Sequence, residues 1–72
     1  MTVDMYPTLR ALRVAKGMTQ VELAQSLGTS QTTISSWEQG ESVPSGKNIK
    51  KIADFYNVKP DVIFDAIFNK LS

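Results

Sequence analysis

The 72-residue chain contains no cysteine and no histidine. Without thiols or imidazoles it can build neither a disulfide framework nor the metal sites that stabilise many small domains. Stability must come from packing, in a chain near the lower size limit for a self-sufficient core, so burial shared with a partner enters the reading from the start. The absence of cysteine fits a reducing compartment, and the cytoplasm is the default expectation. Long apolar runs are missing as well, none approaching the roughly 20 residues that cross a bilayer. The opening Met1-Thr2-Val3-Asp4-Met5 lacks the basic and apolar regions of a signal peptide, so a protein away from membranes is expected. Charge of one sign is also scarce: a formal net charge of +1 is a weak footprint for binding nucleic acid, where phosphate neutralisation dominates affinity. No glycine-rich phosphate loop is present and the carboxylates are scattered rather than paired, which argues against an enzyme. Serines without a base are not nucleophiles. No cofactor, metal or small-molecule ligand is expected.

What is present is punctuation. Gly17, Gly28, Gly40, Val43-Pro44 and Lys59-Pro60 divide one domain, residues 1–72, into short pieces, each of which reads as a helix. Pro7 suits the first turn of a helix over about residues 7–16 that carries Leu9, Leu12 and Arg13 and ends before Gly17. Thr19 and Glu22 form a capping box for a second helix, 20–27, with Val21, Leu23, Ala24 and Leu27 on its apolar face. Ser30 caps a third, 31–39, with Ile34 and Trp37 inward. Ser45 caps a fourth, 45–56, with Ile49, Ile52, Ala53 and Tyr56 at helical spacing and the lysines outside. Pro60 opens a fifth, 60–70, more apolar than a surface helix needs. Ile63 and Ile67 are expected to pack inward, leaving Phe64, Phe68 and Leu71 as a stripe that pairs with a second copy across a two-fold axis.

The second and third helices, joined by a short turn containing Gly28, have the form of a helix-turn-helix. Its outward residues, Gln31, Thr32, Thr33, Ser35 and Ser36, carry short or amide side chains with mixed donors and acceptors. A major groove admits one helix, and a glutamine can donate to N7 and accept from N6–H of adenine, which makes Gln31 the leading candidate for a base contact. Thr32 could meet a thymine methyl, and Ser36 lies one turn further along. Thr33 and Ser35 are better placed for phosphate, as is Gln20 at the start of the second helix. Trp37 reads as core rather than as a stacking platform. Of Lys47, Lys50 and Lys51, only Lys47 stands near enough to a helix start to be a phosphate partner, the others adding long-range charge.

Arg13, Gly17-Met18-Thr19-Gln20, Glu22-Leu23-Ala24, Leu27-Gly28, Ser30-Gln31, Ile34-Ser35, Trp37-Glu38, Gly40, Pro44-Ser45, Ile52-Ala53 and Asn57-Val58 together closely resemble the lambdoid phage repressor and Cro family, the Xre-type helix-turn-helix. The resemblance runs from Leu9 to Phe64. It implies an all-α, five-helix lambda-repressor-like domain with a recognition helix beginning at Gln31. It further implies phosphate contacts from Gln20, Ser42, Ser45 and Lys47, a homodimer on a near-palindromic operator, and a bacterial or phage-encoded setting. Arg13 and Glu38 would form a partly buried structural ion pair. Three residues depart from the pattern: Thr29 for an aliphatic, Glu41 for a basic residue, and Gly46 for a larger one. Glu41 would repel a nearby phosphate. Gly46 weakens the start of the fourth helix by up to about 1 kcal/mol, and both close backbone approach to DNA and simple tolerance fit it.

The expectation is therefore a sequence-specific regulator that binds double-stranded DNA, a repressor rather than an activator because a compact domain can block a promoter by occupying it. The rival is a protein-interaction module, such as an antitoxin, anti-repressor or adaptor, that works through the apolar fifth helix. Low net charge and Glu41 favour the rival; salt-dependent duplex binding would separate the two.

Overall fold

A computed structural model describes residues 8–68. Among the described residues the secondary structure is entirely helical: α1 (Leu9–Ala15), α2 (Gln20–Leu27), α3 (Gln31–Gln39), α4 (Gly46–Tyr56) and α5 (Pro60–Phe68). Helices this short are marginal in isolation, so each depends on its ends and on burial. The N-termini of α1 to α4 are closed by side-chain oxygens of Thr8, Thr19, Ser30 and Ser45, each accepting from the backbone N–H three residues on. At α2 the capping box is complete, with Glu22 accepting from the Thr19 N–H at 2.8 Å. Pro7, expected in the first turn of α1, lies outside the described residues; Thr8 supplies the cap there.

The α2–α3 turn needs a left-handed residue, and Gly28 takes it at φ +72°. A Cβ added there would meet nothing within 4 Å, so the backbone angle and not space selects glycine. The Thr29 N–H then reaches back to the Ala24 carbonyl at 2.9 Å, ending α2. Asn57 ends α4 in the same manner at φ +58°, the residue after glycine that tolerates this region best.

The core is made by Leu9, Leu23, Ala24, Leu27, Ile34, Trp37, Ile52, Ala53, Ile63, Ala66 and Ile67, drawn from all five helices. Packing pairs α2 with α3 and α4 with α5, and α1 lies against α3 and α5. Ile34 and Ile63 are fully buried, each contributing about 1.5–3 kcal/mol of transfer free energy. The apolar stripe of α4 narrows to Ile52 and Ala53, with Ile49 and Tyr56 half-buried at its flanks. Val21, read as part of the α2 face, is exposed: the burial of α2 centres on Leu23, Ala24 and Leu27, and Val21 falls outside that arc. On α5, Ile63 and Ile67 are buried while Phe64 and Phe68 stand outside, with ring centroids 4.4 Å apart. Leu71, the third member of the predicted stripe, lies outside the described residues. None of the described helices is long and apolar enough to cross a membrane.

Tyr56 packs edge-on to Phe55 and holds its hydroxyl buried without a hydrogen-bond partner among the described residues. Burial pushes this phenol up to about 12, with the Glu38 charge adding to the shift and Arg13 opposing it. A folded-state value above the unfolded 10.0 means that the unfolded chain loses this proton first, so stability falls as pH rises from about 10 towards 12. Tyr56→Phe should remove that alkaline loss and be neutral or slightly stabilising at pH 7, by up to about 1 kcal/mol, because no hydrogen bond is given up. Chemical denaturation at pH 7 and pH 11 checks both; a variant as alkali-sensitive as the parent would refute the assignment.

Candidate nucleic-acid interface

The caps at Thr19 and Ser30 and the turn at Gly28 fix how α3 is presented. Gln31 and Thr32, in its first turn, are exposed, while Thr33, Ser35 and Ser36 are half-buried. Gln31, Thr32, Ser35 and Ser36 line one wall of an open groove, and Glu41 joins them from the loop after α3. The Thr33 hydroxyl shares a 2.9 Å hydrogen bond with the capping Ser30 hydroxyl. Ser35 accepts from the Gln39 amide at 2.8 Å. Ser36 and Ser42 pair hydroxyl to hydroxyl at 2.9 Å, which ties the following loop to the outer side of α3. Four of the candidate hydroxyls thus already hold local geometry.

Gln31 does not stand alone. Its Nε2 donates to Gln20 Oε1 at 3.3 Å, and Gln20 Nε2 donates to Glu38 Oε1 at 3.0 Å. Glu38 in turn accepts both arms of the Arg13 guanidinium, Nε at 2.7 Å and Nη2 at 3.1 Å, while Arg13 Nη1 donates to the Met18 carbonyl at 2.8 Å. The ion pair expected from the family resemblance is present and well buried, with side-chain exposures of 11% and 6%. A continuous chain of hydrogen bonds therefore runs from the core to the exposed tip of α3. Burial alone would raise the Glu38 carboxyl, but hydrogen bonds from Arg13 and Gln20, with the charges of Arg13 and Arg10, outweigh it and hold the group below the ordinary carboxylate range. The Arg13 guanidinium is correspondingly raised, chiefly by its hydrogen bond to Glu38 and against its own desolvation.

The remaining candidates lie beyond the groove. Ser42, Ser45 and Lys47 are exposed along the loop and the start of α4, and the Ser45 oxygen caps Asn48 N–H at 3.3 Å. Lys50 makes an exposed i,i+4 pair with Asp54 at 3.4 Å, worth a few tenths of a kcal/mol at most. Lys51, exposed on the outer face of α4 as expected, also donates to the Leu27 carbonyl at 3.0 Å and places a cation at the C-terminus of α2. Neither this contact nor the Gln20–Gln31 link has a periodicity that a linear reading detects, since each joins residues on different helices. The low charge within the helix-turn-helix is the one hint in the sequence that neutral side chains organise it.

The helix-turn-helix family model matches residues 9–63. Among similar proteins, the HTH-type transcriptional activator BcrR of Enterococcus faecalis is 42% identical over 53 residues, which are 74% of this chain and 26% of that protein. The type II methyltransferase M.SsoII of Shigella sonnei is 38% identical over 63 residues, 83% of this chain and 17% of that one. The cryptic phage CTXphi transcriptional repressor RstR of Vibrio cholerae is 34% identical over 50 residues, 69% of this chain and 45% of that protein. No solved structure gives a significant match. The chain spans less than half the length of each of these relatives. It belongs to the helix-turn-helix family, of the Xre type.

The Arg13–Glu38 pair yields a stability test. Arg13→Met leaves a buried carboxylate uncompensated and should cost about 3–5 kcal/mol, whereas Arg13→Met with Glu38→Met should cost less. Because the folded Glu38 value lies below the unfolded 4.5, the pair's contribution is present above that pH and is lost as pH falls through the lower folded value. Thermal melts from pH 7 into acid should show wild type losing stability relative to the double variant as pH falls; a pH-independent difference would contradict the assignment.

Proposed function

We propose that this helix-turn-helix chain is a transcriptional regulator that binds double-stranded DNA sequence-specifically, and that it represses by occupying its site. The observation that carries the proposal is Gln31, exposed at the start of α3 with its amide held by Gln20. After donating to Gln20, Nε2 keeps a second N–H and Oε1 stays available, the donor–acceptor pair that adenine N7 and N6–H require. Thr32 and Ser36 flank it along the groove as further base contacts. Gln20 keeps one N–H for a phosphate oxygen, and Thr33, Ser35, Ser42, Ser45 and Lys47 complete the backbone contacts that set register. The match to a phage repressor supports the direction of regulation; the match to an activator covers only a quarter of that protein. This role places the chain in the cytoplasm of a bacterial host, without catalysis of its own.

One subunit with a net charge of +1 has little electrostatic attraction to offer. A homodimer through Phe64, Phe68 and the Leu71 position doubles both phosphate and base contacts, and it covers two rings that are 53% and 42% exposed. Closed two-fold pairing implies a near-palindromic operator with one half-site per subunit. The same rings, with Glu41 beside the reading groove, favour a second reading as a protein-interaction module. In that case duplex binding with a salt dependence would be absent.

Selection from random duplexes at about physiological salt should enrich a two-fold symmetric site, since nonspecific phosphate binding is already weakened there. Gln31→Ala should then lose about 1–3 kcal/mol at one base pair per half-site and relax the preference there. Lys47→Ala should weaken every sequence alike and lower the salt slope by about one per subunit. Equal binding of all sites by wild type and Gln31→Ala would reject the orientation of α3. Separately, Phe64→Glu with Phe68→Glu should give a monomer by sedimentation at micromolar concentration and abolish preference for the symmetric site. A wild type that stays monomeric both free and on DNA would refute the dimer.

A further inference from the structure

We propose that Glu38 is a positioning residue for base readout: through Gln20 it sets which way round the Gln31 amide points, and so which orientation of an A·T pair α3 prefers. This rests on the base-reading role of Gln31 proposed above and extends it to a side chain that no DNA base reaches. A glutamine amide can rotate half a turn at little cost, exchanging its oxygen and nitrogen. Only its hydrogen-bond partners decide between the two.

Here the partners leave no choice. Arg13 donates to both oxygens of Glu38, at 2.7 and 3.1 Å, which keeps the carboxylate ionised and therefore an acceptor only. Gln20 must then turn its Nε2 towards Glu38, 3.0 Å away, and its carbonyl towards α3. That carbonyl, again an acceptor only, requires Gln31 to turn its Nε2 inward, at 3.3 Å. Polarity imposed by one buried charge is thus passed through two neutral amides to the surface. Glu38 also has the rigidity the task needs, since its side chain is 6% exposed and gripped by a two-armed guanidinium.

The consequence follows from the pattern of the major groove. An A·T pair presents an N7 acceptor, an N6–H donor and a thymine O4 acceptor in that order. An amide whose N–H meets N7 and whose oxygen meets N6–H matches adenine. Rotated half a turn in the same place, it sets oxygen against N7 and can donate only to O4 of the inverted pair. Holding the amide in one sense therefore separates A·T from T·A at a single position, a discrimination that a freely rotating glutamine would blur.

The test is competition binding to operator duplexes that differ only by inversion of the A·T pair facing Gln31, with inversion of the pair facing Ser36 as internal comparison. Wild type should prefer one orientation at the Gln31 pair by about tenfold or more. Gln20→Met cuts the relay and leaves the Arg13–Glu38 pair in place. The Arg13→Met/Glu38→Met double variant removes its source without stranding a charge. In both, shown to be folded by circular dichroism melts, the preference should fall below about threefold, while the ratio at the Ser36 pair should stay within about twofold of wild type. Retention of the wild-type ratio in both variants would overturn the proposal. So would equal loss at both pairs, which is the signature of a merely structural role. If Gln31→Ala itself leaves the inversion ratio unchanged, the base-reading proposal is what fails, and the relay falls with it.

Discussion

The bond between Arg13 and Glu38 is the constraint on which the rest of the arrangement depends. It joins α1 to α3 across the site where α2 begins, and both charges are nearly withdrawn from water. Such a pair is costly to bury and adds little net stability over an apolar replacement. What it supplies is direction. Each of its hydrogen bonds has a fixed donor and acceptor, so α1, the Met18 carbonyl and the start of α2 are held in one angular relation to α3.

Around that bond the fold is assembled from short helices whose ends are closed locally. Side-chain caps at Thr8, Thr19, Ser30 and Ser45 and left-handed residues at Gly28, Gly40 and Asn57 keep backbone groups satisfied where helices stop. This matters more here than in a large domain, because among the described residues the buried apolar core consists of eleven side chains and three of those are alanine. The alanines let helices approach closely, and the caps make the sharp turns between them possible. The two devices serve one end, which is to hold α3 with one face in the core and one in solvent.

The outward face of α3 has little formal charge, and its order comes from neutral hydrogen bonds. Ser36 with Ser42 and Thr33 with Ser30 restrict the hydroxyls, as Gln20 restricts Gln31. A pre-ordered polar surface loses less entropy on meeting a partner than a flexible one. The similar proteins include an activator, a methyltransferase and a repressor, so the scaffold is shared by chains of different named roles. Function therefore has to be argued from the side chains of this chain and not from its shape.

Much of this was legible along the chain because its determinants are local. Thr19 with Glu22, Ser30, Ser45, Gly28 and Gly40 are cap and turn residues whose chemistry acts within one helical turn, and the bounds of α2 and α3 follow from them. The inward placement of Ile34, Trp37, Ile63 and Ile67 is likewise a matter of helical period. The Arg13–Glu38 pair was reached through family resemblance, its members being 25 positions apart. Only tertiary structure decided that Gln20 faces Glu38 and Gln31, that Lys51 reaches back to the end of α2, and that Glu41 borders the open groove along α3. It also decided that Val21 is left in solvent. The physical reason is the same throughout: caps and periodicity are set by neighbours within four residues, whereas these contacts depend on the relative placement of separate helices, to which no single stretch of sequence refers.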